Sequence, residues 1–228
     1  NDTATAVAKG PLSSVRGGLA ACSSRANAIP LKGPGILEVP VSLGAFSRNY
    51  GPQGTDFGYF AGGGEPNAVS TVNRIDYSND TATAVEKGPL SLARYQLAGT
   101  GNASFGYFAG GYAPGTGNKS TVDRVDYSND TATAAVKGPL SENRYDLGAT
   151  GNADFGYFGG GNPGFSKVDR IDYSNDTATA SPKGPLIASL KSRGASSSQA
   201  NAITTPTLFP ASSVRENVVP QGTDFGYF

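Results

Sequence analysis

Closely spaced aspartates are the first candidates for chemistry in this sequence. The same spacing occurs twice, in sets formed by Asp123, Asp126 and Asp130 and by Asp169, Asp172 and Asp176. Carboxylate oxygens gathered by one loop are ligands that Ca²⁺ prefers. However, Arg124 and Arg170 interrupt the two sets, and Asn73 occupies the first position of an earlier copy. The pattern therefore favours turn formation and Arg–Asp pairing, and we predict neither a metal site nor a cofactor.

An Arg–Tyr dipeptide that opens the fourth predicted strand of a repeat is a second candidate. It occurs as Arg94-Tyr95 and again as Arg144-Tyr145. These four residues are the candidate ligand-binding residues of the chain. The sequence favours a structural role for the arginines, in which each arginine pairs with a neighbouring carboxylate or carbonyl group.

The composition gives little support to catalysis. The chain has no histidine, which is the commonest general base and the commonest metal ligand. Its one cysteine, Cys22, and its serines therefore lack the partner that would activate them. Near-identical copies also argue against a unique active site, because catalysis needs different residues in different roles. We therefore predict no catalytic residues and a protein that is not an enzyme.

The charge and hydropathy of the chain argue against two further classes of protein. Its 228 residues carry 18 basic and 18 acidic side chains, so no basic field favours nucleic acid. The sequence shows no run of 18 apolar residues that would predict a transmembrane helix, and no signal peptide. It contains no methionine and opens in mid-repeat at Asn1, so we interpret it as a piece of a longer protein.

Tandem repetition dominates the sequence. Asn-Asp-Thr-Ala-Thr-Ala begins at 1, 79, 129 and 175, Lys-Gly-Pro-Leu at 9, 87, 137 and 183, and Phe-Gly-Tyr-Phe at 57, 105, 155 and 225. The steps between successive copies of Phe-Gly-Tyr-Phe are 48, 50 and 70 residues. A period of 48 to 50 residues predicts an array of repeated units rather than one irregular domain.

Each period predicts four short strands. In the middle copy they are 105–108, 122–127, 131–134 and 144–148, each ended by Gly, Pro, Asn or Asp residues that favour turns. Four such strands would form one small antiparallel sheet. We therefore predict an all-β fold, without helical periodicity in the repeats.

The terminal parts of the chain depart from this pattern. Segments 13–51 and 187–222 replace the expected fourth strand and loop with residues rich in Ser, Ala, Pro and Gly. They resemble each other and lead into identical residues at 52–60 and 220–228, which predicts periodic spacer units; atypical end caps are the alternative. The predicted domains are an atypical unit at 1–60, repeats at 61–108 and 109–158, and a repeat running into a second spacer unit at 159–228.

The period resembles the kelch repeat, in which a strand ending in two glycines is followed by a tyrosine and a Pro-x-x-x-Arg-like turn. The matching residues are Gly62-Gly63, Tyr77, Pro89 and Arg94, then Gly110-Gly111, Tyr127, Pro139 and Arg144, then Gly160-Gly161 and Tyr173. The third copy lacks the arginine, and small residues such as Thr133 and Ala134 replace the kelch tryptophan. Over 57–190, the resemblance implies four-stranded blades in a β-propeller or an open blade array. A β-solenoid fibre is the alternative architecture.

The near-identical repeats are also similar to repetitive kelch-like proteins of marine bacteriophages and microbes. That resemblance implies a non-enzymatic structural or adhesive component of a virion (a tail, fibre or capsid appendage) or of an extracellular surface. The expected partners are other copies of the chain, neighbouring virion or surface proteins, or a glycan or protein receptor, with no nucleic acid and no membrane insertion. One alternative is a kelch-type propeller that binds a protein or glycan ligand. Another is an enzyme on a propeller scaffold, which the absence of histidine disfavours.

Overall fold

The computed structural model is all-β, and it describes residues 9–12, 14, 17–23, 57–64, 67–189 and 194–195. The strands of the described residues are β1 Ala20–Ser23, β2 Phe57–Ala61, β3 Val72–Asp76, β4 Val85–Lys87, β5 Ala98–Gly101, β6 Phe105–Ala109, β7 Tyr112–Ala113, β8 Gly117–Asn118, β9 Val122–Asp126, β10 Ala135–Lys137, β11 Gly148–Gly151, β12 Phe155–Gly159, β13 Val168–Asp172 and β14 Ser181–Lys183. Short 3-10 turns lie at Tyr77–Asn79, Tyr127–Asn129 and Tyr173–Asn175.

Three four-stranded sheets share one topology. Sheet 1 contains β1 to β4, sheet 2 contains β5, β6, β9 and β10, and sheet 3 contains β11 to β14. In each sheet, strands that follow one another in the chain pair in antiparallel orientation. Strands β7 and β8 form a small hairpin within the connection from β6 to β9. The prediction of small antiparallel four-stranded sheets is confirmed, but their predicted membership is wrong in one strand. Strand β11, which follows 144–147, pairs with β12 in sheet 3, and the fourth strand of sheet 2 is β5, which precedes Phe105.

The Phe-Gly-Tyr-Phe motif forms the second strand of each sheet. Its register places Tyr107 opposite Arg124, so an aromatic and a charged side chain are cross-strand neighbours. Its glycine is required by space, because a Cβ at Gly106 would lie 2.9 Å from the hydroxyl of Tyr127. Because this motif is a strand, the predicted repeat boundaries after residues 60, 108 and 158 fall inside β2, β6 and β12.

Two strands of the middle copy begin later than predicted. Strand β10 spans Ala135–Lys137 rather than 131–134, and β11 spans Gly148–Gly151 rather than 144–148. The Thr-Ala-Thr-Ala stretch instead contacts the preceding sheet, because the backbone N–H of Ala134 donates to the carbonyl of Pro89 at 2.8 Å. Arg144 lies before β11, and its side chain forms a buried ion pair with Asp169.

The prediction that segment 13–51 lacks the usual fourth strand is wrong at its start. Strand β1 pairs with β2, and Ala20 lies opposite Ala61. The sequence contained a sign of this strand, because residues 17–20 lead into β1 at the same position of the repeat at which residues 145–148 lead into β11. Residues 24–51 and 196–222 of the predicted spacer units lie outside the described residues.

The three sheets pack on one another in chain order. Ring centroids of Tyr59 and Tyr127 are 4.8 Å apart between sheets 1 and 2, and those of Tyr107 and Tyr173 are 4.6 Å apart between sheets 2 and 3. Two hydrophobic clusters of similar composition fill these contacts, and the first strands β1, β5 and β11 are neighbours. The described residues show this stack but no closed propeller. They also contain no helix long and apolar enough to cross a membrane.

Candidate functional site

The middle aspartate of each repeated set caps a 3-10 turn. Oδ1 of Asp126 accepts hydrogen bonds from the backbone N–H of Ser128 at 2.9 Å and from its hydroxyl at 2.6 Å. Asp172 caps its turn in the same way, and hydrogen bonds from the Ser174 hydroxyl and N–H hold the pKa of Asp172 below its usual value. Turn formation, predicted for these sets, is what the structure shows. No group of three metal-ligating side chains comes together within the described residues.

Arg94 is completely buried where sheets 1 and 2 meet. Its Nη1 lies 2.7 Å from Oδ2 of Asp123, and both side chains are 0% exposed. The guanidinium also donates from Nε to the carbonyl of Gly110 at 2.8 Å and from Nη2 to that of Phe108 at 3.1 Å. Asp123 accepts a further hydrogen bond from the backbone N–H of Ser91 at 3.2 Å. Additional hydrogen bonds on both partners are what a buried ion pair requires to offset its desolvation.

Arg144 repeats this arrangement where sheets 2 and 3 meet. Its Nη2 lies 2.8 Å from Oδ2 of Asp169, and again both side chains are 0% exposed. The carbonyls of Phe158 and Lys167 each accept a hydrogen bond from the guanidinium at 3.1 Å. Burial lowers the pKa of Arg144, and the charge of Asp169 opposes that shift. The guanidinium remains protonated throughout the physiological range.

The arginine and the tyrosine of each predicted Arg–Tyr pair therefore lie in different environments. Arg94 and Arg144 have no exposed surface with which to contact a ligand, and their geometry matches the structural alternative of an arginine paired with a carboxylate. Tyr95 and Tyr145 are partly exposed. Ligand binding by these two tyrosines stays a prediction.

The last aspartate of each set receives three donors from the preceding sheet. Oδ2 of Asp130 accepts from the Tyr59 hydroxyl at 3.0 Å and from Nη1 of Arg74 at 2.8 Å, while Nζ of Lys87 lies 3.2 Å from Oδ1. Burial and the charge of Asp130 raise the pKa of Tyr59 above its usual value. The equivalent contacts of the next pair of sheets are made to Asp176 by Tyr107, Arg124 and Lys137. Tyrosine, arginine and lysine of one sheet thus hold a single carboxylate of the next.

A close backbone contact accompanies each of these carboxylates. The N–H of Gly138 donates to the carbonyl of Asp176, and the N–H of Ala180 donates to that of Pro139, both at 2.8 Å. A Cβ at Gly138 would lie only 1.9 Å from the carbonyl oxygen of Ala178, so only glycine fits. Equivalent contacts join 87–90 to 129–134 and 9–12 to 79–84. The repeated Lys-Gly-Pro-Leu and Asn-Asp-Thr-Ala-Thr-Ala segments are therefore two halves of one inter-sheet contact.

Three partly exposed tyrosines form a row beyond one end of the sheets. The ring centroids of Tyr95 and Tyr112 are 5.5 Å apart, and those of Tyr112 and Tyr145 are 5.9 Å apart. Tyr95 and Tyr112 also exchange two backbone hydrogen bonds, at 3.1 and 2.8 Å. Ala98 at the start of β5 pairs with Ala109 at the end of β6. Tyr95, which precedes β5, and Tyr112, which follows β6, therefore lie at the same end of the strands of sheet 2. We call Tyr95, Tyr112 and Tyr145 the tyrosine row.

Polar residues flank the tyrosine row. The amide nitrogen of Asn162 donates to the hydroxyl of Tyr145, and its backbone N–H donates to the Tyr145 carbonyl at 2.7 Å. Gln96 and Asp146 have φ of +56° and +58°, a region that residues other than glycine rarely adopt. The N–H of Asp146 donates to the carbonyl of Gln96 at 2.9 Å and so links equivalent positions of successive sheets. Such backbone outliers cluster at functional sites, which singles out this end of the sheets.

Cys22 belongs to the packing between sheets 1 and 2. Its Sγ lies 3.3 Å from the hydroxyl of Tyr127. Burial raises the pKa of the Cys22 thiol to about 12. The thiol is therefore protonated near neutral pH and is not the thiolate that nucleophilic chemistry needs.

Tyr112 and Asn162 are the members of this site that the sequence analysis missed. Each follows directly after a double glycine, and isolated bridges pair Tyr95 with Tyr112 and Tyr145 with Asn162. A third bridge pairs Gly17 with Gly64 at the same position of sheet 1. The position was detectable from its place after the glycines. Its residue type changes from copy to copy, so repetition alone did not reveal it.

Comparison of the chain with protein-family models and with curated proteins finds no match to either. The kelch resemblance therefore stays a prediction, and the function has to be argued from the residues of the site.

Proposed function

We propose that the chain is a non-enzymatic structural and adhesive protein, built as kelch-like blades in a propeller or an open blade array. The observation that carries this proposal is the tyrosine row, which presents aromatic rings from successive sheets along one edge. The proximity of β1, β5 and β11 supports a blade arrangement, because first strands of successive blades would gather around an axis. A virion appendage or a cell surface is the setting that the resemblance to phage and microbial repeat proteins favours.

The buried charges support a scaffold role rather than catalysis. Asp123 and Asp169 each pair with a buried arginine, and Asp130 and Asp176 each receive donors from the preceding sheet. These carboxylates join each sheet to the next. Joined sheets would hold the residues of the tyrosine row in a fixed arrangement, which would lower the entropic cost of binding there.

A glycan is the ligand class that best suits the tyrosine row. The apolar C–H face of a sugar ring packs on an aromatic ring, and its hydroxyls can exchange hydrogen bonds with amide, carboxylate and phenol groups. Asn162 supplies such a group to Tyr145, and Gln96 and Asp146 directly follow Tyr95 and Tyr145 in the chain. Each contact would be weak, but a ligand that spans Tyr95, Tyr112 and Tyr145 would make several of these contacts at once.

A protein ligand is the second candidate. Tyrosine is enriched among the residues that dominate protein–protein binding energy, because it offers a large rigid ring with one polar group. The mixture of tyrosine, asparagine and glutamine at this edge suits a protein as well as a sugar. A protein ligand would use the same row, so the two candidates differ in partner and not in site.

Retention of the chain on glycan and protein arrays tests this proposal. We expect Tyr112→Ala and Tyr145→Ala to weaken retention at least about tenfold, the loss of roughly 1.4 kcal/mol of binding free energy. Tyr77→Ala is the matched control, because Tyr77 is 44% exposed and lies in a 3-10 turn instead of the row. Retention that survives both row variants, or no retention on any array, would contradict an adhesive role.

A further inference from the structure

The rings of the tyrosine row are tilted relative to one another. The planes of Tyr95 and Tyr112 meet at 46°, and those of Tyr112 and Tyr145 meet at 69°. The centroids, 5.5 and 5.9 Å apart, are separated by about the length of one sugar residue in a glycan chain. Each of the three tyrosines is partly exposed. The row therefore offers three successive contacts for sugar rings, each turned relative to the one before it.

Backbone contacts hold the tilted rings in place. An isolated bridge joins Tyr95 to Tyr112. The N–H of Gly111 donates to the carbonyl of Arg144, the residue before the third tyrosine, at 2.9 Å. A Cβ at Gly64 would lie 3.2 Å from Cδ1 of Tyr95, so the ring of Tyr95 rests close to the backbone of sheet 1. Contact between neighbouring rings further limits their rotation, and the tilt is therefore set by the fold.

The row of rings ends on both sides within the described residues. In sheet 1 the equivalent bridge is formed by Gly17 and Gly64, which have no side chains to extend the row. In sheet 3 the position after the double glycine is Asn162, whose amide donates to the hydroxyl of Tyr145. Because that phenol oxygen accepts from the amide, its proton stays available to a sugar oxygen. The site thus has three aromatic contacts and one polar end.

The charges beside the row favour a neutral ligand. The phenols and the Asn162 amide are uncharged. Asp146 follows Tyr145 in the chain, and Lys119 is joined to Gly111 by a backbone hydrogen bond of 2.8 Å. One negative and one positive side chain therefore lie near the row, and neither sign dominates.

The tilt of the rings discriminates between shapes of glycan chain. In a flat chain, such as a β-1,4-linked glucan, successive sugar rings stay nearly parallel and suit coplanar aromatic rings. In a twisted chain, such as an α-1,4- or β-1,3-linked glucan, each sugar ring is rotated from the last. Planes that meet at 46° and 69° cannot all stack on a flat chain, whereas they can follow a twisted one.

We propose that the tyrosine row binds the interior of an unbranched, neutral glycan chain of twisted shape. One sugar packs on each of Tyr95, Tyr112 and Tyr145, and the sugar on Tyr145 accepts a hydrogen bond from its hydroxyl. This inference rests on the proposed adhesive function and deepens it by naming the shape of the ligand. The packing of sheet 2 on sheet 3 then sets specificity, because it fixes the angle between Tyr112 and Tyr145.

Isothermal titration with hexamers of glucose tests the proposal, because these probes differ only in linkage. We expect the tighter of the α-1,4- and β-1,3-linked hexamers to bind at least about tenfold more tightly than the flat β-1,4-linked hexamer. In a length series of the tighter linkage, affinity should rise up to three sugars, one for each ring, and should change little beyond that length.

Variants of the middle ring locate the binding. Tyr112→Ala should weaken binding of the twisted hexamer at least about tenfold and should remove the preference over the flat one. Tyr112→Phe keeps the ring, so it should keep both the affinity and the preference, a rescue that a misfolded variant would not show. Tyr77→Ala is the matched control, because Tyr77 is 44% exposed and lies outside the row.

Failure of this inference can be told apart from failure of the proposed function. Equal or tighter binding of the flat hexamer, lost in Tyr112→Ala, would overturn the twisted shape and leave the adhesive role standing. Binding that Tyr112→Ala leaves unchanged would overturn the assignment of the chain to the row. If no hexamer binds, the inference is wrong, and retention on a protein array through the row would support the second ligand class. Retention on neither kind of array would be the failure of the proposed function itself.

Discussion

Gly138→Ala and Gly184→Ala form a matched pair that tests how the sheets hold together. Both glycines are the second residue of a Lys-Gly-Pro-Leu segment. A Cβ at Gly138 would lie 1.9 Å from the carbonyl oxygen of Ala178, whereas a Cβ at Gly184 would meet no atom of the described residues within 4 Å. The two substitutions are therefore chemically identical and differ in whether a neighbouring sheet of the described residues lies against the glycine.

The expected cost of Gly138→Ala follows from this geometry. A Cβ essentially never lies closer than 3.0 Å to such an atom, so the two backbones must separate by about 1 Å. That separation breaks or stretches the two 2.8 Å hydrogen bonds of Gly138 and Ala180, each of which costs about 1–2 kcal/mol to lose when buried. We therefore expect a loss of roughly 2–4 kcal/mol of unfolding free energy, or about 4–16 °C in Tm for a chain of this length. Gly184→Ala should change the unfolding free energy by less than about 1 kcal/mol.

Thermal and urea unfolding, followed by near-ultraviolet circular dichroism of the tyrosines, measure both variants. The protein concentration should be low enough for every sample to be monomeric, so that assembly adds nothing to apparent stability. Equal losses for the two variants would refute the reasoning, because then the glycine would matter for its own strand and not for the contact between sheets.

Three further predictions use other features of the fold. Arg144→Ala should cost about 3–5 kcal/mol of unfolding free energy because it leaves a buried carboxylate without its partner, whereas Arg170→Ala should cost less than about 1 kcal/mol; urea unfolding compares them. Cys22, whose pKa is raised to about 12, should react with iodoacetamide at pH 8 about a thousandfold more slowly in the folded than in the urea-unfolded chain. Burial raises the pKa of Tyr59 and Tyr107, so the folded chain keeps protons that the unfolded chain loses above about pH 10, and the unfolding free energy should fall as pH rises beyond that value. Unfolding free energies that rise between pH 9 and pH 11 would contradict this assignment.

The sequence revealed the strands better than it revealed the partners of their side chains. Phe-Gly-Tyr-Phe could be assigned to a strand because short aromatic runs between glycines favour extended structure. The pairing of Arg94 with Asp123 could not be predicted, because it depends on how one sheet lies on the next. For the same reason the sequence left ligand binding open for Arg94 and Arg144, both of which the structure buries.

The repeated segments predicted local turns but not the contacts that these segments make with the next sheet. Repetition of Lys-Gly-Pro-Leu predicted a turn, but the reason for its glycine is the carbonyl of Ala132 or Ala178 in the following sheet. Tyr112 and Asn162 occupy one structural position with different side chains, so a search for identical copies passes over them. What repeats in this chain is mainly the contact between sheets, and what varies lies at the edge that we propose as the binding surface.

A double-mutant cycle between Tyr107 and Asp176 tests the central claim, that each sheet is held by a carboxylate of the next. The two groups are joined by a 2.9 Å hydrogen bond between sheets 2 and 3. Unfolding free energies of Tyr107→Phe, Asp176→Asn and the double variant should give a coupling energy of about 0.5–3 kcal/mol. A coupling energy of zero, with both single variants as stable as the wild-type chain, would contradict the account.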